Sequence, residues 1–176
     1  MTQVFGNTHG LKASQVRRLE RIFRRRVPAD ALVTQELARQ LTEVSRDIRR
    51  QVGVLVDRRG DVQHVMVGDA HSTELPDWGR LRAGRGRLRG LRCIHTHLGG
   101  EGLTRDDKTD LLLLRLDAMV TIGVDDDGLP TLAYTAALRP ANSDGEGMEF
   151  LDPLPPSQID LDFQAWVHDL EDDLSR

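Results

Sequence analysis

The order of hydrophobic patterns along the chain predicts an α/β domain, with helices on both faces of a mixed sheet. Three observations predict it. Helical periodicity comes first, in two stretches between residues 13 and 50. Short apolar runs of strand length then recur at 52–56, 62–67, 91–94, 118–124 and 132–138. A helical stretch opening at Thr104 separates the third run from the fourth. Helices alternating with strands imply a layered α/β arrangement, and a hairpin among the strands makes the sheet mixed, not purely parallel.

Each element has its own warrant. In residues 13–26, Ala13, Val16, Leu19, Ile22 and Phe23 recur three and four apart, and the stretch closes on Arg24, Arg25 and Arg26. Cations suit the negative end of a helix dipole, and Pro28 ends the run. A second helix is expected from an N-cap at Thr34 to about Arg50, with Leu37, Leu41, Val44 and Ile48 on one face. Val52 to Asp57 and Val62 to Val67 flank the turn Arg59-Gly60-Asp61 as a hairpin. Residues 79–90, rich in Gly and Arg, form a loop before the strand that rises through Leu91-Arg92-Cys93-Ile94 into His95. Ala118–Val124 and Leu132–Leu138 are strands around Asp125-Asp126-Asp127-Gly128. The Pro-rich segment 139–157 is expected to be mostly loop. An acidic helix follows, using Ile159, Phe163, Trp166, Val167 and Leu170. The boundaries expected are an N-terminal helical segment (1–32), an α/β core (33–139) and a C-terminal loop and helix (140–176), in one compact domain.

Length and composition narrow the function classes. A chain of 176 residues can bury a sizeable core without disulfides, and its single cysteine, Cys93, fits a reducing, cytoplasmic compartment. No apolar run approaches a membrane span, and residues 1–10 lack the layout of a secretory signal. Residues 1–105 hold 20 Lys/Arg against 11 Asp/Glu, whereas residues 106–176 hold 4 against 17. Arginine supplies 22 of the 24 basic residues, and its fixed fork of donors suits phosphate. The Arg80–Arg92 loop is therefore a candidate for RNA phosphate contact, although no aromatic interleaves it for base stacking. Internal neutralisation of the basic part by the acidic part accounts for the asymmetry equally well.

The stretch that carries chemistry is His95-Thr96-His97, a glycine-rich loop (Gly99, Gly100, Gly102), then Thr104-Arg105-Asp106-Asp107. On a strand, residues two apart share a face, so His95 and His97 project together. Thr104 fits an N-cap, and an acid in the first turn of the helix suits both capping and ligation. Two imidazoles, one carboxylate and a water would make an open zinc site, in which the metal lowers the pKa of its water. The candidate ligands are His95, His97 and Asp107, with Asp106 the alternative if the loop shifts the helix by one residue. A polar pocket without metal is the competing reading. Cys93 lies two residues before His95 as a conceivable nucleophile, though a buried thiol is the commoner outcome. His9, His64, His71 and His168 are scattered and expected at the surface.

This string resembles the JAMM (MPN-type) metalloprotease signature, in which His-Ser/Thr-His and a loop are followed by Ser-x-x-Asp. The resemblance implies a JAMM/cytidine-deaminase-like fold, zinc on His95, His97 and Asp107, and Thr104 in the oxyanion-stabilising place. It also implies an upstream glutamate that holds the attacking water, and Gln51 stands there instead. The loop is six residues long, not seven, and Leu98 replaces the usual proline. Glutamine orients a water but takes no proton from it. Glu43 and Glu101 are the candidate substitutes.

Almost the whole chain is also similar to the N-terminal extension of some bacterial HflX-type GTPases. The strings that carry this likeness include Gly10-Leu11-Lys12-Ala13-Ser14-Gln15, Arg24-Arg25-Arg26-Val27-Pro28 and Gln51 to Arg58. Arg87 to Leu98 and Ser157 to Phe163 carry it as well. The resemblance implies an accessory domain of a GTP-binding protein that associates with the large ribosomal subunit. GTP itself would bind through a GTPase domain outside this chain, because Gly84-Arg85-Gly86-Arg87 lacks the Lys-Ser/Thr ending of a phosphate-binding loop. Three functions are thus expected of the chain: accessory domain with a degenerate metal pocket, active zinc peptidase or isopeptidase, or metal-free binding module.

Overall fold

The computed structural model describes residues 3–70, 88, 90–138, 148–161 and 163–165. It is an α/β fold built on one seven-stranded mixed sheet. The strands are β1 (Val4–Gly6), β2 (Val52–Asp57), β3 (Val62–Val67), β4 (Leu91–His97), β5 (Ala118–Val124), β6 (Pro130–Leu138) and β7 (Met148–Leu154). Their order across the sheet is β1-β3-β2-β4-β5-β6-β7. Pairs β1·β3 and β4·β5 are parallel and the other four antiparallel.

Helix α1 (Ala13–Arg21) runs into a 3₁₀ turn at Ile22–Arg24, so it ends short of the Arg26 that periodicity predicts. The reason lies beside the hairpin turn, where Arg26 bridges to Asp61 and draws the chain into extended backbone. Helix α2 (Gln35–Ile48) starts where expected, with Thr34 Oγ1 accepting the Leu37 N–H, and stops at Arg49 in a left-handed turn (φ 54°). Helix α3 (Arg105–Leu114) connects the parallel neighbours β4 and β5.

Alternation along the strands splits the core in two. Val52, Val54, Val56, Ile94, Val120 and Ile122 face α1 and α2. Leu55, Met66, Cys93 and Met119 face the other way, toward Leu111 and Leu114 of α3. Helices therefore cover both faces, as the sequence predicts.

Two strands escape the sequence reading. β1 is three residues long and pairs with β3, its Val4 lying opposite Val65. β7 falls inside the Pro-rich segment expected to be loop. Pro153 is accommodated because β7 is an edge strand and its register is broken between Ala133 and Thr135 of β6. Residues 156–161 and 163–165 are helical, and Ile159 is buried with the α1–α2 cluster. Trp166, Val167, His168 and Leu170 lie outside the described residues, as does His71. Near this helix, Asp160 Oδ1 accepts the Leu32 and Val33 N–H groups, and buried Arg92 donates to the Ala31 and Leu32 carbonyls. No helix among the described residues is long and apolar enough to cross a membrane.

Candidate metal centre

The site sits on the α3 face of the sheet, at the end of β4. His95 and His97 project from that face because they alternate with Ile94 and Thr96. Thr96 points to the opposite face. There its hydroxyl meets Ser45 Oγ of α2 at 2.8 Å and accepts the Val52 N–H at 3.0 Å. The histidine strand is thus pinned from behind.

The loop after His97 must fold back closely to bring α3 over the histidines. Gly123 lies beside His97 in the sheet. A Cβ there would run into Thr131 Oγ1 and lie 3.4 Å from the Gly100 Cα. The missing side chain therefore makes room for Thr131, while the loop passes over Gly123 at ordinary contact distance. Gly102 packs as closely on the Tyr134 ring, where a Cβ would sit 2.9 Å from Cδ1.

At the end of that loop the Thr104 hydroxyl accepts the Asp107 N–H, and Asp107 Oδ2 accepts the Thr104 N–H at 2.9 Å. This reciprocal cap fixes the Asp107 side chain. Its other oxygen, Oδ1, lies 3.1 Å from His95 Nε2. The two imidazoles meet at 3.0 Å between their Nε2 atoms, and His97 Nε2 is 3.5 Å from Asp107 Oδ2. His95, His97 and Asp107 are all buried, and their ligand atoms lie within 4.8 Å of one another. The expected trio is brought together.

The tautomer of one histidine follows from its partners. His97 Nδ1 is 3.0 Å from the Glu101 carbonyl, which can only accept, so Nδ1 carries the proton. Neutral His97 therefore presents a lone pair at Nε2. Ligands bonded to a tetrahedral zinc at about 2.0–2.1 Å lie about 3.3 Å apart, close to the 3.0–3.5 Å spacings found here. Without an ion, the same atoms close a hydrogen-bonded triad through a proton on His95 Nε2.

Burial pushes His97 below the ordinary histidine range, and the neighbouring His95 adds to this. Burial alone would raise Asp107. The hydrogen bond and charge of His95 outweigh it, helped by the Thr104 N–H and His97, and hold the carboxyl below its usual value. Both shifts favour the forms that bind metal, neutral imidazole and carboxylate.

Other candidates fall into place around this trio. Gln51 is buried, and it lies opposite His97 if the Gly53–His95 register is continued. Its Oε1 has no partner among the described residues. Glu43 cannot replace it, because it is exposed on α2, across the sheet from the histidines. Glu101 is exposed, with its carboxylate 3.8 Å from His97 Nδ1 and thus on the side away from the shared point. Asp106 is exposed as well, so the shorter loop does not shift the helix by one residue.

Cys93 Sγ lies 3.9 Å from His95 Nδ1, but burial raises the thiol well above its usual pKa and keeps it protonated. It is core, not nucleophile. His9 is exposed as expected, whereas His64 is half-buried against Phe5, with Nδ1 unpartnered among the described residues. Of the Arg80–Arg92 loop, residues 80–87 and 89 lie outside the described residues. Arg92 is buried and spent on the carbonyls named above, so it offers nothing to RNA.

Sequence reasoning missed Thr121. It neighbours His95 on β5, buried, with Oγ1 unpartnered among the described residues. Only the strand register could have found it. The histidine pair is therefore flanked by Gln51 on the β2 side and Thr121 on the β5 side, each with an oxygen uncommitted among the described residues.

No protein-family model matches the chain, and no curated protein matches it. Among solved structures, it is similar to the solution structure of a protein from Salinibacter ruber (strain DSM 13855). The two share 20% identity over 70% of this chain and 90% of that one, with a TM-score of 0.34.

Proposed function

We propose that this domain holds one divalent cation of the zinc class on His95, His97 and Asp107, as a binding centre and not as a peptidase. The observation that carries it is the convergence of three buried ligand groups, with the His97 lone pair directed at the others by the Glu101 carbonyl. The donor set of two imidazoles and one carboxylate leaves a coordination position open. A bound ion would supply Lewis acidity there. Thr104 and the capped first turn of α3 hold the carboxylate, and Gln51 and Thr121 offer oxygens beside the histidines.

The lack of a base among these groups supports a degenerate centre. The place the JAMM resemblance gives to a glutamate holds Gln51, and neither Glu43 nor Glu101 faces the shared point. The likeness to the HflX-type extension supports a role as accessory domain of a GTP-binding, cytoplasmic protein associated with the large ribosomal subunit.

Elemental analysis of protein purified without chelator tests the centre. About one zinc per chain is expected, lost in His97→Ala and kept in His9→Ala. Protein with no stoichiometric metal would leave the metal-free triad as the correct description. Chelator-sensitive cleavage of peptides or isopeptides by the unmodified protein would overturn the degenerate reading in favour of an enzyme.

A further inference from the structure

On the opposite face from the histidines, α1 and α2 lie side by side and leave a groove of about 440 Å³ between them. Arg18, Arg21, Arg25 and Arg39 line it, and Arg17 and Arg24 extend the basic lining around α1 through a neighbouring hollow that shares Arg21. Three glutamates, Glu20, Glu36 and Glu43, stand among these six arginines, so the surface keeps an excess of cations. Arg18 is partly committed to Asp47 at 3.1 Å, and Arg25 donates to Gln40. Among the described residues, no carboxylate pairs with Arg17, Arg21, Arg24 or Arg39, and all four are exposed.

Exposed, unpaired guanidinium groups are stable only as solvated cations or against an anionic partner. Their arrangement selects the kind of anion. Arg17, Arg21 and Arg24 follow one another at helical spacing, so they form a row along α1 and the 3₁₀ turn that continues it, and do not converge on one point. A row suits a chain of anions, whereas one phosphate needs a closed cup. The forked guanidinium matches phosphate oxygens bidentately. Among the described residues no aromatic side chain lines the groove, so they offer no platform for stacking bases.

We infer that the α1–α2 groove binds the phosphodiester backbone of nucleic acid without reading its sequence. This surface is separate from the metal centre, which lies across the sheet, and the inference depends on neither the metal nor the accessory role.

The test is fluorescence anisotropy with a short labelled RNA of mixed sequence, in buffer containing chelator so that the metal question does not enter. Binding should fall steeply with salt. Arg17→Glu/Arg21→Glu/Arg24→Glu should weaken it tenfold or more and flatten the plot of log affinity against log salt by about 2, at ~0.7 for each phosphate of a single strand no longer neutralised. A control carrying Arg59→Glu/Arg105→Glu/Arg115→Glu changes net charge equally at exposed sites elsewhere and should keep most of the affinity. Matched thermal midpoints for the two variants would show that both fold. Equal binding of DNA of the same sequence would support backbone recognition. Equal losses in both variants would reduce the effect to net charge and overturn the inference. So would displacement of the RNA by poly-glutamate at matched charge, which would make the groove a site for acidic polypeptide.

Discussion

Asp107 divides its two oxygens between two tasks: Oδ1 stands 3.1 Å from His95 Nε2, and Oδ2 accepts the backbone N–H of Thr104. The close contact with His95 and the helix cap therefore use different atoms of one side chain, and Oδ2 also lies 3.5 Å from His97 Nε2. The two tasks can be separated by substitution.

Asp107→Asn keeps an oxygen for the cap but loses the charge. It should lose stoichiometric zinc while the metal-free protein keeps its thermal midpoint within a few degrees. Asp107→Ala removes the acceptor too, and should cost a further ~0.5–2 kcal/mol in urea unfolding. If Asp107→Asn retained zinc at wild-type stoichiometry, the carboxylate would not be a ligand.

Gln51→Glu places a carboxylate on the β2 side of the histidine pair. In the metal-free protein that charge is buried without a partner, and stability at neutral pH should fall by ~1–3 kcal/mol or more. Zinc should restore most of the loss, so the zinc-induced rise in thermal midpoint would be larger than for wild type. A chelator-sensitive peptidase activity in this variant alone would mark the natural chain as a base-less form of a hydrolytic site. A zinc-induced rise no larger than wild type would place residue 51 away from the ion.

Much of this site is legible in the sequence itself. The i, i+2 spacing of the histidines and the capping string at Thr104 both encode local geometry, and local geometry survives folding. Gln51 is legible only through the JAMM resemblance, which expects a glutamate at the start of β2. What depends on distant packing is not. Thr121 reaches His95 only through the β4–β5 register. Glu43 is a candidate on sequence alone because sequence does not tell which face of the sheet α2 covers. The arginines of α1 read as cations suited to a helix end, and the groove exists only because α2 lies alongside. β1 is too short to signal itself, and Pro153 disguises β7 because sequence does not distinguish an edge strand from a loop.

Asp160 ties the helical segment after β7 to the start of the chain by accepting the Leu32 and Val33 N–H groups at 2.9 and 2.8 Å. Asp160→Ala strands both donors in a buried setting and should destabilise by ~1–3 kcal/mol. Asp160→Asn, which keeps a carbonyl acceptor, should lose less. Because these bonds lie on the α2 face, zinc content should stay unchanged in both variants. Loss of zinc in folded Asp160→Ala would mean that the two faces are coupled.

Acid should destabilise the metal-free protein in two steps. Burial holds His97 below its ordinary value, and burial does the same to His64. The unfolded chain then takes up protons more readily than the folded one. The stability these histidines contribute is complete above about pH 6.5 and is lost as pH falls toward their folded values. Asp107 is also held low, so its contribution is complete above about pH 3.9 and disappears only as pH drops through its depressed value. Urea midpoints measured in chelator from pH 8 to pH 4 should therefore decline below about pH 6.5. His97→Gln and His64→Gln should each remove part of that first decline. Wild-type protein that grew more stable between pH 7 and pH 5.5 would contradict the buried, neutral state assigned to His97. It would also remove the lone pair on which the proposed metal centre depends.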